Sequence, residues 1–378
     1  MNQVNKKTKV IVGLSGGVDS SVALIKLIEE GYNVEAMYMR NWDSAVNNDV
    51  YGNPDLMDDV CPQERDYQDA KKVAETLNIK LHRVDFIEEY WNSVFEYFLS
   101  EYRKNRTPNP DILCNKEIKF KTFLDKAIEL GADYIAMGHY ARVIHNGDKN
   151  YLLRGIDQNK DQSYFLSQLN SEQLAKALFP IGDMIKPDVR NLARKYDLVV
   201  ADKKDSTGVC FIGERNFKEF LMNYIPANPG DIITVDGKVI GKHDGVMYYT
   251  IGQRRGLHIG GPGDAWFVCG KDTINNQLIV GQGSNTDLLY ANRVILTDVN
   301  IINNDLLDGE NVTAKFRYRQ PDEEVTVHFM ANGRMEVKCK RPVKAITPGQ
   351  ACVIYRGEYC LGGGTIDQVY MDDILRKY

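Results

Sequence analysis

Short apolar runs alternate with amphipathic stretches over the first third of the chain, and this alternation most restricts the possible folds. The runs are rich in β-branched residues and occupy 10–14, 34–39, 81–86 and 134–137, whereas the stretches between them have helical spacing. Strands that alternate with helices form a parallel sheet covered on both faces. We therefore expect an α/β fold that binds ligands at the carboxyl ends of its strands. The predicted helices are 19–30, 63–77, 88–104 and 116–130.

The pattern changes beyond about residue 215. Glycine, proline and Asn-Gly turn signals there interrupt short alternating runs, which is typical of β-structure. A chain of 378 residues is also too long for a single hydrophobic core. We expect three domains: an α/β catalytic domain over 1–215, a small central linking domain over 216–288 and a C-terminal β-barrel-like domain over 289–378.

Composition excludes several classes of protein. Apolar residues make up 43% of the chain and charged residues 26%, as in ordinary soluble proteins. The seven cysteines are odd in number and lack a CxxC pair, so neither a disulfide framework nor a zinc knuckle fits. Because no apolar run is long enough to span a membrane, we expect a cytoplasmic protein without a membrane partner. The net charge of −5 weakens the case for a nucleic-acid partner, although local basic clusters still allow one.

A glycine- and serine-rich segment follows the first apolar run directly. It reads SGGVDSS over 15–21 and precedes a predicted helix. Glycines let backbone N–H groups approach an anion, and the helix N-terminus adds partial positive charge. A lone GG turn would more often be a capped strand-to-helix turn, but here the whole heptapeptide lies in the required context. The segment lacks the GK[ST] ending of a P-loop, so it predicts a different kind of phosphate site.

Two cysteines stand in polar, turn-forming segments. Cys114 follows a proline-rich loop that contains Asp111, and we expect its thiol to lie near a helix N-terminus, which lowers a thiol pKa. Asp111 is close enough in sequence to accept a proton beside the same substrate. Cys210 follows a glycine-containing turn. Taken alone, each cysteine is more often a buried structural residue than a catalytic one.

Eight motifs occur in order through nearly the whole chain: SGGVDSS, CPQERDYQDAKKVA, TPNPDILCNKEIKF, GHYAR, KDQSYFL, DSTGVCFIG, YTIGQRRGL and TPGQACVIY. Together they resemble the tRNA-specific 2-thiouridylase family of PP-loop ATP pyrophosphatases. The resemblance implies an N-terminal domain of the adenine nucleotide alpha hydrolase-like kind. It also implies an enzyme that adenylates the C2 oxygen of the wobble uridine, U34, and replaces it with sulfur from a cysteine persulfide.

The resemblance also assigns roles to individual residues. Cys210 would carry the persulfide, Cys114 would be the partner nucleophile, and a disulfide between them would be a by-product. Asp111 would complete the catalytic set. Residues holding ATP would be Gly13, Leu14, Ser15, Gly16, Gly17, Val18, Asp19 and Ser20 at the phosphates, with Met39 and Gly138 at the nucleoside. Residues contacting RNA would be Asn109, Pro110, Asp111, His139, Asp161, Gln162, Ser163, Arg317, Tyr318 and Gln350.

The implied reaction uses ATP as substrate and Mg²⁺, without a dedicated protein metal site. Its implied partners are tRNA, those for Glu, Gln and Lys above all, and a cysteine desulfurase or sulfur-relay protein. Two other classes stay open at this point. An amide-forming PP-loop synthetase would explain SGGVDSS but gives no role to both cysteines, and a non-catalytic RNA-binding module would not need Asp111 and the cysteines. A tRNA thiolase acting at another position, or on cytidine, is a third alternative.

Overall fold

A computed structural model describes residues 5–56, 61–205, 208, 210, 212–213, 215–283 and 286–377. Four residues of the DSTGVCFIG motif, at 206, 207, 209 and 211, lie outside the described residues. Within the described part of the chain, no helix combines the length and the apolar character that crossing a membrane would require.

The N-terminal region is built on a five-stranded parallel sheet. Its order is β3-β2-β1-β4-β7, so the chain leaves β1 on one side and later returns on the other. The order therefore reverses between β1 and β4, and ligands bind at such switch points in α/β sheets. All four predicted strands are present within one or two residues. The strands are β1 Lys9–Gly13, β2 Asn33–Arg40, β3 Leu81–Asp85, β4 Tyr134–Ala136 and, after two further strands, β7 Ala177–Leu178.

Helices cover both faces of this sheet. The predicted helix at 116–130 begins earlier than expected, because Asn109 caps a short helix that starts at Pro110. Two stretches, Trp91–Phe95 and Cys114–Thr122, are π-helical. The α-helices are α1 Val18–Glu29, α2 Pro62–Thr76, α3 Ile87–Tyr90, α4 Glu96–Arg103, α5 Pro110–Leu113, α6 Phe123–Glu129, α7 Ser171–Ala175, α8 Lys186–Lys195 and α9 Phe217–Met222. Single 3₁₀ turns occupy Asn5–Lys7, Ser163–Leu166, Val246–Tyr248, Asp287–Leu289, Ile302–Asn304 and Ala331–Gly333.

The C-terminal region is a closed antiparallel barrel, as the turn pattern predicts. Its strands follow the order β12-β15-β14-β13-β16-β17, and β17 pairs back with β12. A hairpin of the N-terminal region, β5-β6, extends this sheet by pairing with the start of β17. The hairpin was not anticipated from the sequence, and it joins the two regions directly. The strands are β5 Ala141–Asn146, β6 Lys149–Arg154, β12 Tyr290–Ile301, β13 Asn311–Lys315, β14 Glu323–Phe329, β15 Met335–Lys344, β16 Ala351–Arg356, β17 Tyr359–Met371 and β18 Ile374–Leu375.

Between these two regions lies a small four-stranded sheet. Its order is β10-β11-β8-β9, and only β11 and β8 run parallel. The region is β-rich, as expected for a central linking segment. Its strands are β8 Gly230–Thr234, β9 Val239–His243, β10 Trp266–Asp272 and β11 Gln277–Gln282.

Alternate residues of β1 face two different hydrophobic cores. Val10 and Val12 pack in a core whose buried members all lie between residues 10 and 201. Ile11 points to the opposite face, into a larger core that also takes in residues of the central sheet and the barrel. The barrel interior forms a third core. Because side chains alternate along β1, the two faces of the sheet pack against two different hydrophobic cores.

Candidate active site

The SGGVDSS segment folds into a compact cradle at the end of β1. Gly17 is the N-cap of α1, and the Ser15 N–H donates to Ser20 Oγ over 3.2 Å. The Ser20 hydroxyl in turn donates to the Gly17 carbonyl over 3.1 Å, which folds the loop onto the first turn of the helix. The N–H groups of that first turn form an anion site of the expected kind.

Two glycines are required by close approaches in and beside the cradle. Gly16 has φ of +76°, and a Cβ there would lie 2.2 Å from the Asp66 carbonyl oxygen. A Cβ on Gly138 would lie 2.6 Å from the Ser20 backbone nitrogen. Gly138 lies two residues beyond β4, so the chain that leaves that strand abuts the start of α1 at the switch point. The structure therefore brings the predicted phosphate residues and Gly138 together.

Met39 lies near the end of the neighbouring strand β2. Its side chain is buried, and its terminal methyl lies 3.5 Å from the position of a Cβ on Gly13. It belongs to the larger hydrophobic core, so packing alone would account for it. It also lies beside Gly13, and its contact with a nucleoside stays a prediction.

The two cysteines selected from the sequence meet in space. Cys114 Sγ and Cys210 Sγ are 3.7 Å apart, although the residues come from distant segments. The backbone of Cys210 is held on both sides, since its N–H donates to Asp111 Oδ1 over 3.1 Å and its carbonyl accepts from the Tyr90 hydroxyl over 2.9 Å. Asp111 thus fixes the loop that carries the second thiol.

The two thiols differ in their acidity. Burial, followed by the neighbouring Cys210, raises the pKa of the Cys114 thiol well above its usual value. A hydrogen bond from Cys114, assisted by the charge of Lys119, lowers the pKa of Cys210 despite its burial. The expectation that a helix N-terminus lowers the pKa of Cys114 is therefore wrong, because α5 begins four residues earlier and the thiol is fully buried. Cys210 is the better nucleophile of the pair.

Asp111 itself is partly buried. Burial raises the pKa of its carboxyl group, while the hydrogen bond from the Cys210 N–H and the charge of Lys119 act against that rise. Its neighbour Asn109 caps α5 by accepting from the Asp111 N–H over 3.2 Å, and Pro110 occupies the first helical position. These three residues hold the turn that presents Cys114.

His139 connects the thiol site with the cradle. It follows Gly138 in sequence, and its ring contacts Phe120 and Phe179 at centroid distances of 6.0 and 5.9 Å. Burial and the charge of Lys119 lower its pKa well below the usual value, so the imidazole is neutral. Its Nδ1 has no hydrogen-bond partner among the described residues. His139 is therefore a buried, neutral residue between the two halves of the site.

The other predicted RNA contacts bond largely within the protein. Asp161 Oδ1 accepts from the Gly155 and Ser163 N–H groups over 3.1 and 3.0 Å. Gln162 Oε1 accepts from the Tyr140 N–H over 3.0 Å. These contacts hold the segment from Asp161 to Ser163 against the end of the sheet, and leave its contact with RNA a prediction.

The predicted contacts in the barrel region also have internal partners. Arg317 donates to the Ile251 carbonyl over 2.7 Å, and Tyr318 packs on Phe165 at a centroid distance of 4.4 Å. Gln350 Nε2 donates over 2.8 Å to the carbonyl of Thr107, in the loop that leads to Cys114. Gln350 therefore ties the barrel to the thiol loop, whatever it does toward RNA.

Comparison with known proteins places the chain in a family. Three family models match it: tRNA methyl transferase HUP domain over residues 8–214, tRNA methyl transferase PRC-barrel domain over 218–282 and Aminomethyltransferase beta-barrel domain over 292–366. It is 56% identical over 375 residues to a tRNA-specific 2-thiouridylase MnmA of Acholeplasma laidlawii, covering 98% of this chain and 100% of the relative. The chain belongs to the tRNA-specific 2-thiouridylase family. A relative of the same name from Staphylococcus carnosus is 55% identical, with 97% of each chain covered, and one from Bacillus subtilis is 53% identical, with 98% of each covered.

Several site residues of this family member were not selected from its sequence. Lys186 Nζ donates to Asp19 over 2.8 Å, and Lys203 Nζ donates to the Gly16 carbonyl over 3.0 Å, so both ammonium groups lie beside the cradle. Lys186 opens α8, a visible helix start, but nothing in the sequence shows that α8 packs beside α1. Tyr90, at the thiols, likewise depends on the tertiary fold. No cluster of three or more His, Cys, Asp or Glu side chains in the described ranges could hold a metal ion.

Proposed function

We propose that this chain converts the wobble uridine of tRNA into 2-thiouridine, using ATP to activate the C2 oxygen and a cysteine persulfide as the sulfur source. The observation that carries the proposal is the 3.7 Å separation of Cys114 and Cys210, in a protein whose parallel sheet also bears the cradle. His139 and Gly138 connect the two, since they contact the thiol helix and the start of α1 respectively. Membership of the family supports the same activity.

Activation of the base is assigned to the cradle. The C2 oxygen attacks the α-phosphorus of ATP, a new P–O bond forms, and pyrophosphate leaves with the electrons of the broken bond. The residues from Gly13 to Ser20 hold the phosphates, and Met39 and Gly138 flank the nucleoside. Lys186 and Lys203 lie where they can offset the charge of the departing pyrophosphate. Mg²⁺ would be held by the phosphates, and would supply further charge neutralisation there.

Sulfur transfer is assigned to the thiol pair. The Cys210 thiolate attacks the outer sulfur of a donor persulfide. The S–S bond of the donor breaks, and the donor's inner sulfur leaves as a thiolate. The terminal sulfur of the resulting Cys210 persulfide then attacks C2, and AMP departs with the former C2 oxygen. Cys114 finally attacks Cys210 Sγ. The bond between Cys210 Sγ and the sulfur on C2 breaks, a Cys114–Cys210 disulfide forms, and 2-thiouridine is released. A cellular thiol reduces that disulfide before the next turnover.

A second order of events uses the same residues. Cys114 can instead attack the Cys210 persulfide directly, which releases hydrosulfide to attack the activated base and leaves the same disulfide. Both orders need the thiols close together, and a disulfide S–S bond is about 2.0 Å long, so side-chain rotations would have to bring the sulfurs closer. Asp111 keeps the Cys210 loop in place for either route.

The remaining assignments form part of the proposal. We place the catalytic domain at 1–215, the central domain at 216–288 and the barrel at 289–378. The tRNA contacts are assigned to Asn109, Pro110, Asp111, His139, Asp161, Gln162, Ser163, Arg317, Tyr318 and Gln350, the substrates to the tRNAs for Glu, Gln and Lys, and sulfur delivery to a cysteine desulfurase or relay protein.

A nucleoside assay tests the proposal directly. Unmodified tRNA is incubated with the protein, ATP, Mg²⁺, a cysteine desulfurase and cysteine, and the digested nucleosides are identified by mass spectrometry. We expect 2-thiouridine that depends on ATP and equals the pyrophosphate released. Formation of 4-thiouridine or 2-thiocytidine would redirect the proposal to another base. Pyrophosphate release without tRNA, but with an amine and a carboxylic acid, would favour an amide-forming synthetase instead.

A further inference from the structure

The helix that carries Cys114 departs from α-helical geometry. From Cys114 to Thr122 it is π-helical, and Phe120 has non-helical angles of φ −106° and ψ 15°. Residues five apart on an α-helix are separated by about 140° around the axis. A π-turn, with hydrogen bonds from i to i+5, accommodates one more residue per turn and brings such positions closer to one face. Lys119 follows Cys114 by five residues, so the π-turn brings it toward the face that bears the thiol.

Several ionisable groups surround the Lys119 ammonium group. Burial acts against its charge, but the charge of Cys210, followed by those of Cys114 and Asp111, raises its pKa above the ordinary value. It also makes a side-chain hydrogen bond to Cys210. Among the described residues, two further titratable groups lie nearby: His139, which is neutral and feels the charge of Lys119, and Tyr90 beside the thiols, whose pKa burial raises well above its usual value. Lys119 is therefore the cation of this group.

We propose that Lys119 is a further catalytic residue, whose ammonium group holds Cys210 as the thiolate and so selects it, rather than Cys114, as the sulfur acceptor. The inference rests on the proposed function for the identity of the reaction. It also explains the role of the π-turn, since an α-helical turn would direct Lys119 further from the Cys114 thiol. The Cys114 thiol completes the arrangement by donating to Cys210 across 3.7 Å.

The selection has a chemical consequence. A thiolate, and not a thiol, attacks the outer sulfur of a persulfide. With Lys119 beside Cys210, the negative charge stays on the half-buried thiol of the pair, whereas Cys114 keeps its proton at full burial. Cys114 becomes a nucleophile only after its proton has left. The order in which the two cysteines act is thus built into the resting site.

The reactivity of Cys210 toward iodoacetamide tests this inference without tRNA or ATP. Alkylation is followed from pH 5 to pH 10, and peptide mass spectrometry separates Cys210 from the other cysteines. We expect the midpoint of Cys210 alkylation to rise by about one pH unit or more in Lys119→Met, since a charge at contact distance shifts a pKa by that amount. Lys119→Arg keeps the charge and should keep most of the wild-type midpoint.

Lys121→Met is the matched control, because Lys121 lies on the same helix but is exposed and pairs with Glu117. Its Cys210 midpoint should equal that of the wild type. If Lys119→Met does not fold, as judged by its thermal unfolding, Lys119→Gln takes its place. An unchanged midpoint in a folded neutral variant would overturn the inference. If the midpoint shifts in Lys119→Met but the wild-type protein makes no 2-thiouridine, Lys119 remains the thiolate partner and only the proposed reaction is refuted.

Discussion

The phosphate cradle and the thiol pair, the two halves of the site, pack against different hydrophobic cores. The cradle is backed by a core whose buried residues all come from the first 201 residues, with Val10 and Val12 of β1 packed against α1, α2 and α8. The thiol pair is backed by a core that also contains Phe220 of α9, Val268 of the central sheet and Tyr355 of the barrel. One half is therefore built by one region of the chain, and the other by all three.

This difference explains how an ATP-using fold can acquire sulfur chemistry. A parallel sheet with a glycine-rich turn can hold phosphates using only local backbone groups. Two thiols that must meet need a rigid frame, and here Asp111, Tyr90 and the barrel residue Gln350 supply it. We expect perturbations of the cradle to act on nucleotide binding, and perturbations of the central sheet or barrel to act on sulfur transfer.

Replacing either thiol should separate the two halves most sharply. We expect Cys210→Ser and Cys114→Ser each to lower 2-thiouridine formation by about a thousandfold or more, as removal of a nucleophile commonly does. Pyrophosphate release in a single turnover with tRNA should persist, because the cradle is intact. Both products are measured in the same reaction, by mass spectrometry and by a coupled phosphate assay.

Cys339→Ser provides the control for this pair, because Cys339 lies on a barrel strand away from the two thiols. It should retain wild-type yields of both products. A parallel loss of pyrophosphate release in the Cys210 or Cys114 variant would contradict the separation of the two halves.

A glycine substitution tests the other half of the site, the cradle, through its ATP binding. Gly16→Ala should weaken ATP binding by about tenfold or more, equivalent to about 1.4 kcal/mol, because the new Cβ would collide with the Asp66 carbonyl at 2.2 Å. Binding is measured by calorimetry. Gly31→Ala is the matched control, since Gly31 also has positive φ, +85°, but no atom within 4 Å of a Cβ. If both variants lose ATP affinity equally, backbone strain rather than the collision is responsible.

The sequence predicted the glycine-rich turn of the cradle and four of the five strands behind it, but not β7, Lys186 or Lys203. The alternation of short strands with amphipathic helices predicted β1 to β4, and SGGVDSS is one local segment that contains the glycines its turn requires. Turn signals likewise predicted a β-rich, barrel-like C-terminal domain, although not its closure, and the matching family models confirm the α/β, central and barrel regions. Such features depend on near neighbours in the chain.

The thiol site could be predicted only as a set of residues. Its surroundings depend on contacts between distant segments. The sequence therefore predicted neither the raised pKa of Cys114 nor the hydrogen bond from the Cys210 N–H to Asp111. The π-turn that orients Lys119 has no signature in the spacing of apolar residues. The β5-β6 hairpin was missed because its pairing partner, β17, lies more than 200 residues later.

Removing the bond between the barrel and the thiol loop should have a moderate effect. Gln350→Ala loses the hydrogen bond to the Thr107 carbonyl, worth about 1 kcal/mol, so we expect kcat for thiolation to fall about fivefold. The KM for tRNA should change little if Gln350 acts by positioning. Gln368→Ala, on barrel strand β17, is the control, because among the described contacts the side chain of Gln368 bonds only to nearby Tyr370. A rise in KM at constant kcat would instead identify Gln350 as a tRNA contact.

The smallest expected effect on activity comes from Lys271, on the central strand β10. Its side chain is 3% exposed, and its ammonium group donates to the Asn105 carbonyl, just before the thiol loop. Burial lowers the pKa of Lys271 from 10.5 to about 7. Between these two pH values the unfolded chain binds more protons than the folded one, so the free energy of unfolding rises with pH. Below pH 7 the cost of burying the charge is present in full.

Lys271→Met should therefore stabilise the protein at pH 7 by about 2 kcal/mol, an advantage that shrinks toward pH 10. Guanidinium unfolding at pH 7 and pH 9.5 measures the difference. Lys242→Met, which removes an exposed lysine paired with Asp231, should change stability little at either pH. A pH-independent gain in Lys271→Met would mean that better apolar packing, and not the buried charge, accounts for the effect. Thiolation should survive, because the Cys114 loop is still held by Gln350 and the barrel.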